Sequence, residues 1–301
     1  MPMSAVLNWF ARPTRLLEDE ALHPSDIEPN FAVEAELAPV VSRPSPLWTL
    51  DRLAVTDALW GEGYQFPGGE LEAVRLAKPM GLTAAASLLL LGAGSGGPAC
   101  SVATQLGAWV SGFEADPNLA AVAIDRIARR NLSKRAQIET WNPTQPTFRQ
   151  HFYHHGLALE ALHGGQPERT LAAIASALKP GGQLMMVELV ADSPLDQSNP
   201  VVATWARLER RDPGALPKQD TITRILGRLG FDVRVVEDVS QRHIQHALSG
   251  WRAEVREMED NHPSRRRIMR YVQEAELWLV RLRLFQPGWL RLVRWHAIGG
   301  G

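Results

Sequence analysis

With a single cysteine, Cys100, in 301 residues, the chain cannot form an intrachain disulfide or a cysteine-based metal cluster, which fits a reducing compartment. Charge of one sign is also lacking. The 32 Lys and Arg against 33 Asp and Glu leave a formal net charge of -1, giving no reason to expect nucleic acid or an anionic membrane as main partner. No stretch approaches the ~20 apolar residues that a bilayer-spanning helix needs; Leu88 to Leu91 is a short run of strand length. The N-terminal apolar stretch, Val6 to Phe10, runs quickly into Arg12, Pro13 and Glu18-Asp19-Glu20, unlike a secretory signal. The expectation is a cytoplasmic protein whose membrane contact is at most peripheral. His151, His154, His155 and His163 lack the carboxylate or cysteine spacing of a metal site, so no metal is expected.

What is present is an ordinary globular composition, 45% hydrophobic and 22% charged. Residues 1–46 carry Pro13, Pro24, Pro29, Pro39, Pro44 and Pro46 and read as an arm over the domain or a partner subunit, or as a disordered tail. From residue 47 onward, helical and strand patterns alternate, which predicts a mostly parallel, buried sheet. Strands are expected over Ala86–Leu91, Trp109–Phe113, Ala136–Trp141, Gln183–Val190, Phe231–Val236 and Leu290–Ile298. Two long helical stretches fall within 239–287 and read as a helical cap inserted before the last strand.

Gly92-Ala93-Gly94-Ser95-Gly96-Gly97 lies directly after a buried strand and before a helix. Lacking Cβ atoms, such a loop turns tightly and lets a ligand approach the backbone, next to the free amides of a helix N-terminus. Glu114 ends the next strand, where a carboxylate can accept from both hydroxyls of a ribose. Together these read as a nucleoside site. The loop fits the G-x-G-x-x-G dinucleotide fingerprint and equally the G-x-G-x-G form of adenosylmethionine enzymes. About ninety residues precede it, including a second glycine turn, Trp60 to Gly69, which is unusual for a dinucleotide fold.

In order and spacing, "WGEGYQFPGG", "LLLLGAGSGGP", "VSGFEADPNLA", "LKPGGQLMMVE" and "LGRLGFDVRVVEDVSQRH" resemble class I S-adenosylmethionine-dependent methyltransferases. The resemblance is to the small-molecule branch with sarcosine, phosphoethanolamine, ubiquinone and sterol methyltransferases. It implies a doubly wound α/β fold with a mostly parallel seven-stranded sheet and an antiparallel closing strand. It further implies S-adenosylmethionine as cofactor, S-adenosylhomocysteine as product, and a small-molecule or lipid-like acceptor, with a homo-oligomer or protein partner left open. Gly92, Ala93, Gly94 and Gly96 would hold the methionine part and Glu114 the ribose. Ala115 would lie against the adenine, Asn142 would contact its amino group, and Tyr64, Gly68 and Gly69 would cover the carboxylate.

Two departures matter. Phe66 stands where related sequences tend to carry a hydroxyl residue, and the fourth strand's place is taken by the polar Phe148–Gly156. With that strand frame, His154 and His155 fall at the sheet's carboxyl edge, where a histidine can take a proton from an accepting atom. The departures also motivate an alternative, a catalytically degenerate methyltransferase-like binding protein or partner subunit. An NAD(P)-dependent oxidoreductase is the third reading.

Overall fold

The structure is a computed structural model and describes residues 46–261 and 263–300, so the expected arm over 1–46 lies outside the described residues except for its last position. Helix α1 (Leu50–Trp60) starts where the Thr49 hydroxyl accepts from the Arg52 amide at 3.2 Å. A glycine turn leads into α2 (Gly69–Ala77). Then come β1 (Ser87–Leu91), α3 (Gly97–Ser101), β2 (Trp109–Glu114), α4 (Pro117–Arg129), β3 (Ala136–Thr140), β4 (Tyr153–Leu159), α5 (Pro167–Ala177) and β5 (Leu178–Val190). Helices α6 (Pro200–Glu209) and α7 (Gln219–Arg228) precede β6 (Phe231–Asp238). Helices α8 (Ser240–Asn261) and α9 (Arg265–Phe285) intervene before β7 (Arg291–Gly299).

The seven strands form one sheet in the order β3-β2-β1-β4-β5-β7-β6. Strands β1 to β5 pair in parallel, and β7 runs antiparallel between β5 and β6. This is the expected doubly wound sheet with its antiparallel closing strand. Leu88 and Leu90 enter one core layer, Leu89 and Leu91 the other, and all four are at most 1% exposed. A central strand covered on both faces has to be a continuous apolar run, which is why this segment was legible. A third cluster, built on Leu59, Trp60, Trp251, Tyr271 and Trp278, fastens α8 and α9 to α1 and α2.

Two elements differ from expectation. The fourth strand is not Phe148–Gly156; it begins at the buried Tyr153, and its continuous buried run is Gly156-Leu157-Ala158-Leu159, paired with β1 and β5. The apolar run that a central strand requires was present, displaced three residues along the chain. Helix α6 is not among the expected elements, although Asn199-Pro200 is a start signal: the Asn199 side chain accepts from the Val201 amide at 2.9 Å with Pro200 in the first turn.

Gly250 sets how closely α8 approaches α1. A Cβ at this position would stand 2.4 Å from Trp60 Cζ3 and 2.7 Å from the Leu59 carbonyl oxygen. Gly250→Ala is therefore expected to destabilise the fold by about 1–3 kcal/mol through overpacking, against the helix-propensity gain it would bring on an exposed helix. Urea unfolding checks this, and a variant as stable as the parent contradicts it.

Candidate active site

Between β1 and β4 the strand order reverses, leaving a crevice at the sheet's carboxyl edge. The loop after β1 turns into it. Gly92 has φ +72°, and a Cβ there would lie 2.1 Å from the Leu159 carbonyl oxygen, so only glycine fits. The Gly94 amide donates to Glu114 Oε2 at 2.7 Å, and the Asp116 amide donates to Oε1 at 3.0 Å. Burial pushes the Glu114 carboxyl up, and these backbone bonds oppose it.

The loop is braced from behind by the segment after α1. Gly97 donates its amide to the Gly63 carbonyl at 3.0 Å. Ser95 N–H donates to Gln65 Oε1 at 2.8 Å, and Gln65 Nε2 donates back to Ser95 Oγ at 2.7 Å. Arg126 donates to Ser95 Oγ at 2.7 Å and pairs with Asp57 at 2.8 Å and Glu62 at 3.2 Å. Gln65 and Arg126 were not singled out from sequence, since neither type nor spacing marks a brace.

A cavity of about 580 Å³ opens over the crevice. Gly92, Gly94, Glu114 and Ala115 line one end of it. Ala93 is fully buried beside them. Tyr64 does not line the cavity: its hydroxyl donates to the Gly97 carbonyl at 3.2 Å and meets Ser101. Gly68 and Gly69 face His246 and the Trp60 carbonyl, and Gly96 faces Ala123, so these glycines serve close packing within the chain. Asn142 is exposed, and its Oδ1 accepts from the Thr144 amide and hydroxyl at 3.0 and 2.9 Å, while its neighbours Trp141 and Pro143 line the cavity. Cys100 is buried, and burial pushes its thiol up, away from a reactive thiolate.

His154 and His155 are the clear correction. Both lie at the start of β4, His155 opposite Leu88 and Gln183. Four residues of strand, roughly 13 Å, separate His155 from the carboxyl edge. The Ser87 amide donates to His154 Nδ1 at 3.0 Å, Lys179 Nζ stands 2.9 Å from its Nε2, and the Gln183 amide donates to His155 Nδ1 at 3.2 Å. They join strand ends on the far side of the sheet and touch no part of the cavity.

The carboxyl edge of β4 instead presents Glu160, held at φ +46°, uncommon for a residue with a side chain. Arg211, just beyond α6, lies 2.7 Å from Glu160 and 3.3 Å from Glu209. Arg281 of α9 lies 3.2 Å from Glu160 and 2.5 Å from Glu209. Burial would raise the Glu160 carboxyl, but Arg281 and Arg211 outweigh it and hold it at about 2. Glu188, 3.9 Å from Arg211, is pushed up to about 7 by its own burial. His243 of α8 is 6% exposed, its ring 5.5 Å from that of Trp278 and 5.7 Å from that of Phe285. Trp278 lines the cavity, whereas Trp251 and Tyr271 pack in the third cluster. None of these charged residues was a sequence-level candidate, because they come together only through the fold.

Residues 89–186, from β1 through most of β5, match the model of a family described as "Methyltransferase domain". That segment of the chain is similar to a methyltransferase domain. The chain is 25% identical over 176 residues to the methyltransferase GfsG of Streptomyces halstedii, covering 58% of this chain and 63% of that one. It is 28% identical over 196 residues to the sterol 24-C-methyltransferase ERG6 of Saccharomyces cerevisiae, covering 60% and 51%. The chain thus spans about half to under two thirds of the length of these curated relatives. Among solved structures, phosphoethanolamine N-methyltransferase 2 of Haemonchus contortus, in complex with S-adenosyl-L-methionine, superposes with a TM-score of 0.72 at 19% identity, over 83% of this chain and 57% of that one. That likeness is one of fold.

His243 gives the fold an acid-sensitive point. Burial first, then Arg281, lowers its pKa from 6.5 to about 3, with Glu160 opposing and His246 adding to the effect. The folded state keeps it neutral while the unfolded chain protonates below its ordinary pKa, so stability falls with pH through that window, by about 1.4 kcal/mol per pH unit. Between pH 6.5 and about pH 5, unfolding free energy in urea should drop about 2 kcal/mol less in His243→Leu than in the parent. Equal losses would show that His243 is not the sensitive group.

Proposed function

We propose that this chain is an S-adenosylmethionine-dependent methyltransferase acting on a small-molecule or lipid-like acceptor, with 47–301 as one catalytic unit and 239–287 as its cap. The observation that carries the reading is the Glu114 carboxylate, lining the same cavity as Gly92 and Gly94 and tied to the Gly94 amide at 2.7 Å. A buried carboxylate beside a backbone cradle suits a ribose next to a polar chain. Glu114 would accept from the ribose hydroxyls, Gly92 to Gly94 would hold the methionine end, and Ala115 and Trp141 would flank the base. When bound, the sulfonium supplies an already activated methyl group. The chain's task is then to align the acceptor and exclude water, which the cap helices and the Phe66 side chain favour. The family match over 89–186 supports this reading.

The degenerate alternative drew on the fourth strand, and that departure disappears once the strand is framed on Gly156–Leu159. Phe66 remains, packed 5.8 Å from the Tyr64 ring and lining the cavity. The histidines at the far edge give no route for a proton, so neither is retained as a catalytic residue.

Isothermal titration with S-adenosylhomocysteine and S-adenosylmethionine should give one site each. Glu114→Ala should weaken both by roughly tenfold or more, the loss of hydrogen bonds to a charged acceptor worth about 1.5–3 kcal/mol. Absence of binding, indifference to Glu114→Ala, or preferential binding of a nicotinamide dinucleotide would each overturn the reading.

A further inference from the structure

Four arginines line the cavity, Arg52, Arg211, Arg242 and Arg281, and such a number would suit an anionic acceptor. The pairing says otherwise. Arg52 Nε donates to Glu274 at 2.8 Å. Arg211 and Arg281 close a square with Glu160 and Glu209, and the four side chains are only 7–21% exposed. Arg242 reaches Glu72 and Glu237, both at 3.4 Å. Beyond the Glu114 and Asp116 end, the described lining residues hold four arginines and four carboxylates, Glu72, Glu160, Glu209 and Glu274.

An entering phosphate would either add two negative charges to this balanced, poorly solvated wall or displace a carboxylate from its arginine. Displacement leaves a buried charge without its partner, which is strongly unfavourable. The remaining wall is mostly apolar, including Phe66, Leu76, Val239, Leu277 and Trp278, with His163, His243 and His246 and the Gln65 amide as its other polar side chains. Among the described lining residues of this wall, Arg281 Nε and Glu209 Oε1 face each other at 2.5 Å, which leaves Arg242 Nη2 and His243 Nε2 buried with no hydrogen-bond partner, and of these the guanidinium atom is the fixed donor. It suits a single neutral oxygen.

We propose that the acceptor chamber takes an uncharged, largely apolar molecule carrying an oxygen that Arg242 can hold, and that the carboxylate-matched arginines exclude phosphate esters. The methyltransferase reading enters only in deciding which end of the cavity is the acceptor's. The inference separates this chain from the phosphoethanolamine N-methyltransferase whose fold it shares.

The test is isothermal titration of the full chain preloaded with S-adenosylhomocysteine. The neutral probe is 2-naphthol; the anionic probes are phosphoethanolamine and inorganic phosphate. The parent should bind 2-naphthol saturably and neither phosphate. Glu209→Gln strips Arg281 and Arg211 of one carboxylate, and Glu274→Gln does the same to Arg52 at a separate place. Each should gain about tenfold or more in phosphate affinity while keeping its affinity for S-adenosylhomocysteine. That retained affinity shows the variant is folded, and either variant alone suffices. Saturable phosphoethanolamine binding by the parent, or no gain in a folded variant, overturns the proposal. If S-adenosylhomocysteine does not bind at all, the cofactor reading fails, and the same anion comparison on the ligand-free chain still decides this one.

Discussion

Arg126 reaches from α4 to three segments at once: Asp57 on α1, Glu62 in the turn that follows, and Ser95 in the glycine loop. The residue is 4% exposed. A guanidinium that far from water has to be matched by hydrogen bonds and opposite charge, and here all its partners belong to the cofactor end of the cavity or its brace. The Gly63 carbonyl is thereby brought to the Gly97 amide, and Gln65 to Ser95. With the loop fixed from behind, its front-facing amides are left to Glu114 and to whatever lies in the crevice. A loop made of glycines has no stiffness of its own, so the rigidity a binding site needs is imported through one side chain.

The parts legible in the sequence are those that the backbone builds. Leu88 to Leu91 had to be apolar because both faces of β1 are covered, and Gly92 had to be glycine because the Leu159 carbonyl leaves no room for a Cβ. Glu114 followed from its place at a strand end. These features are local, and spacing alone exposes them. Tyr64, Gly68, Gly69 and Gly96 lay in the right neighbourhood, yet they face protein: a glycine conserving space for another helix looks, in sequence, like one conserving space for a ligand. Asn142 is spent on its own turn with Thr144.

The fourth strand shows how one framing choice moves a function. Placing it on Phe148–Gly156 put two histidines at the carboxyl edge; placing it on Tyr153–Leu159 puts them at the opposite edge and brings Glu160 forward. The signal was there, since Leu157-Ala158-Leu159 is as apolar as a buried strand requires. Arg211, Glu209, Arg281 and His243 carried no such signal. They come from the end of α6, from α9 and from α8, and their sequence separation from Glu160 hides a contact that only the tertiary fold makes.

The Glu160–Arg211–Glu209–Arg281 square does two things with the same atoms. It joins the carboxyl end of β4 to α6 and to the cap helix α9, and it sets the charge of the wall that an acceptor meets. Removing one carboxylate frees an arginine for an anion and loosens the cap's attachment in the same stroke. Acceptor charge and cap docking are therefore coupled in this fold. A chamber for a charged acceptor would need a different way of fastening the cap, so selectivity here is held by the pairing of the wall's arginines and not by their number.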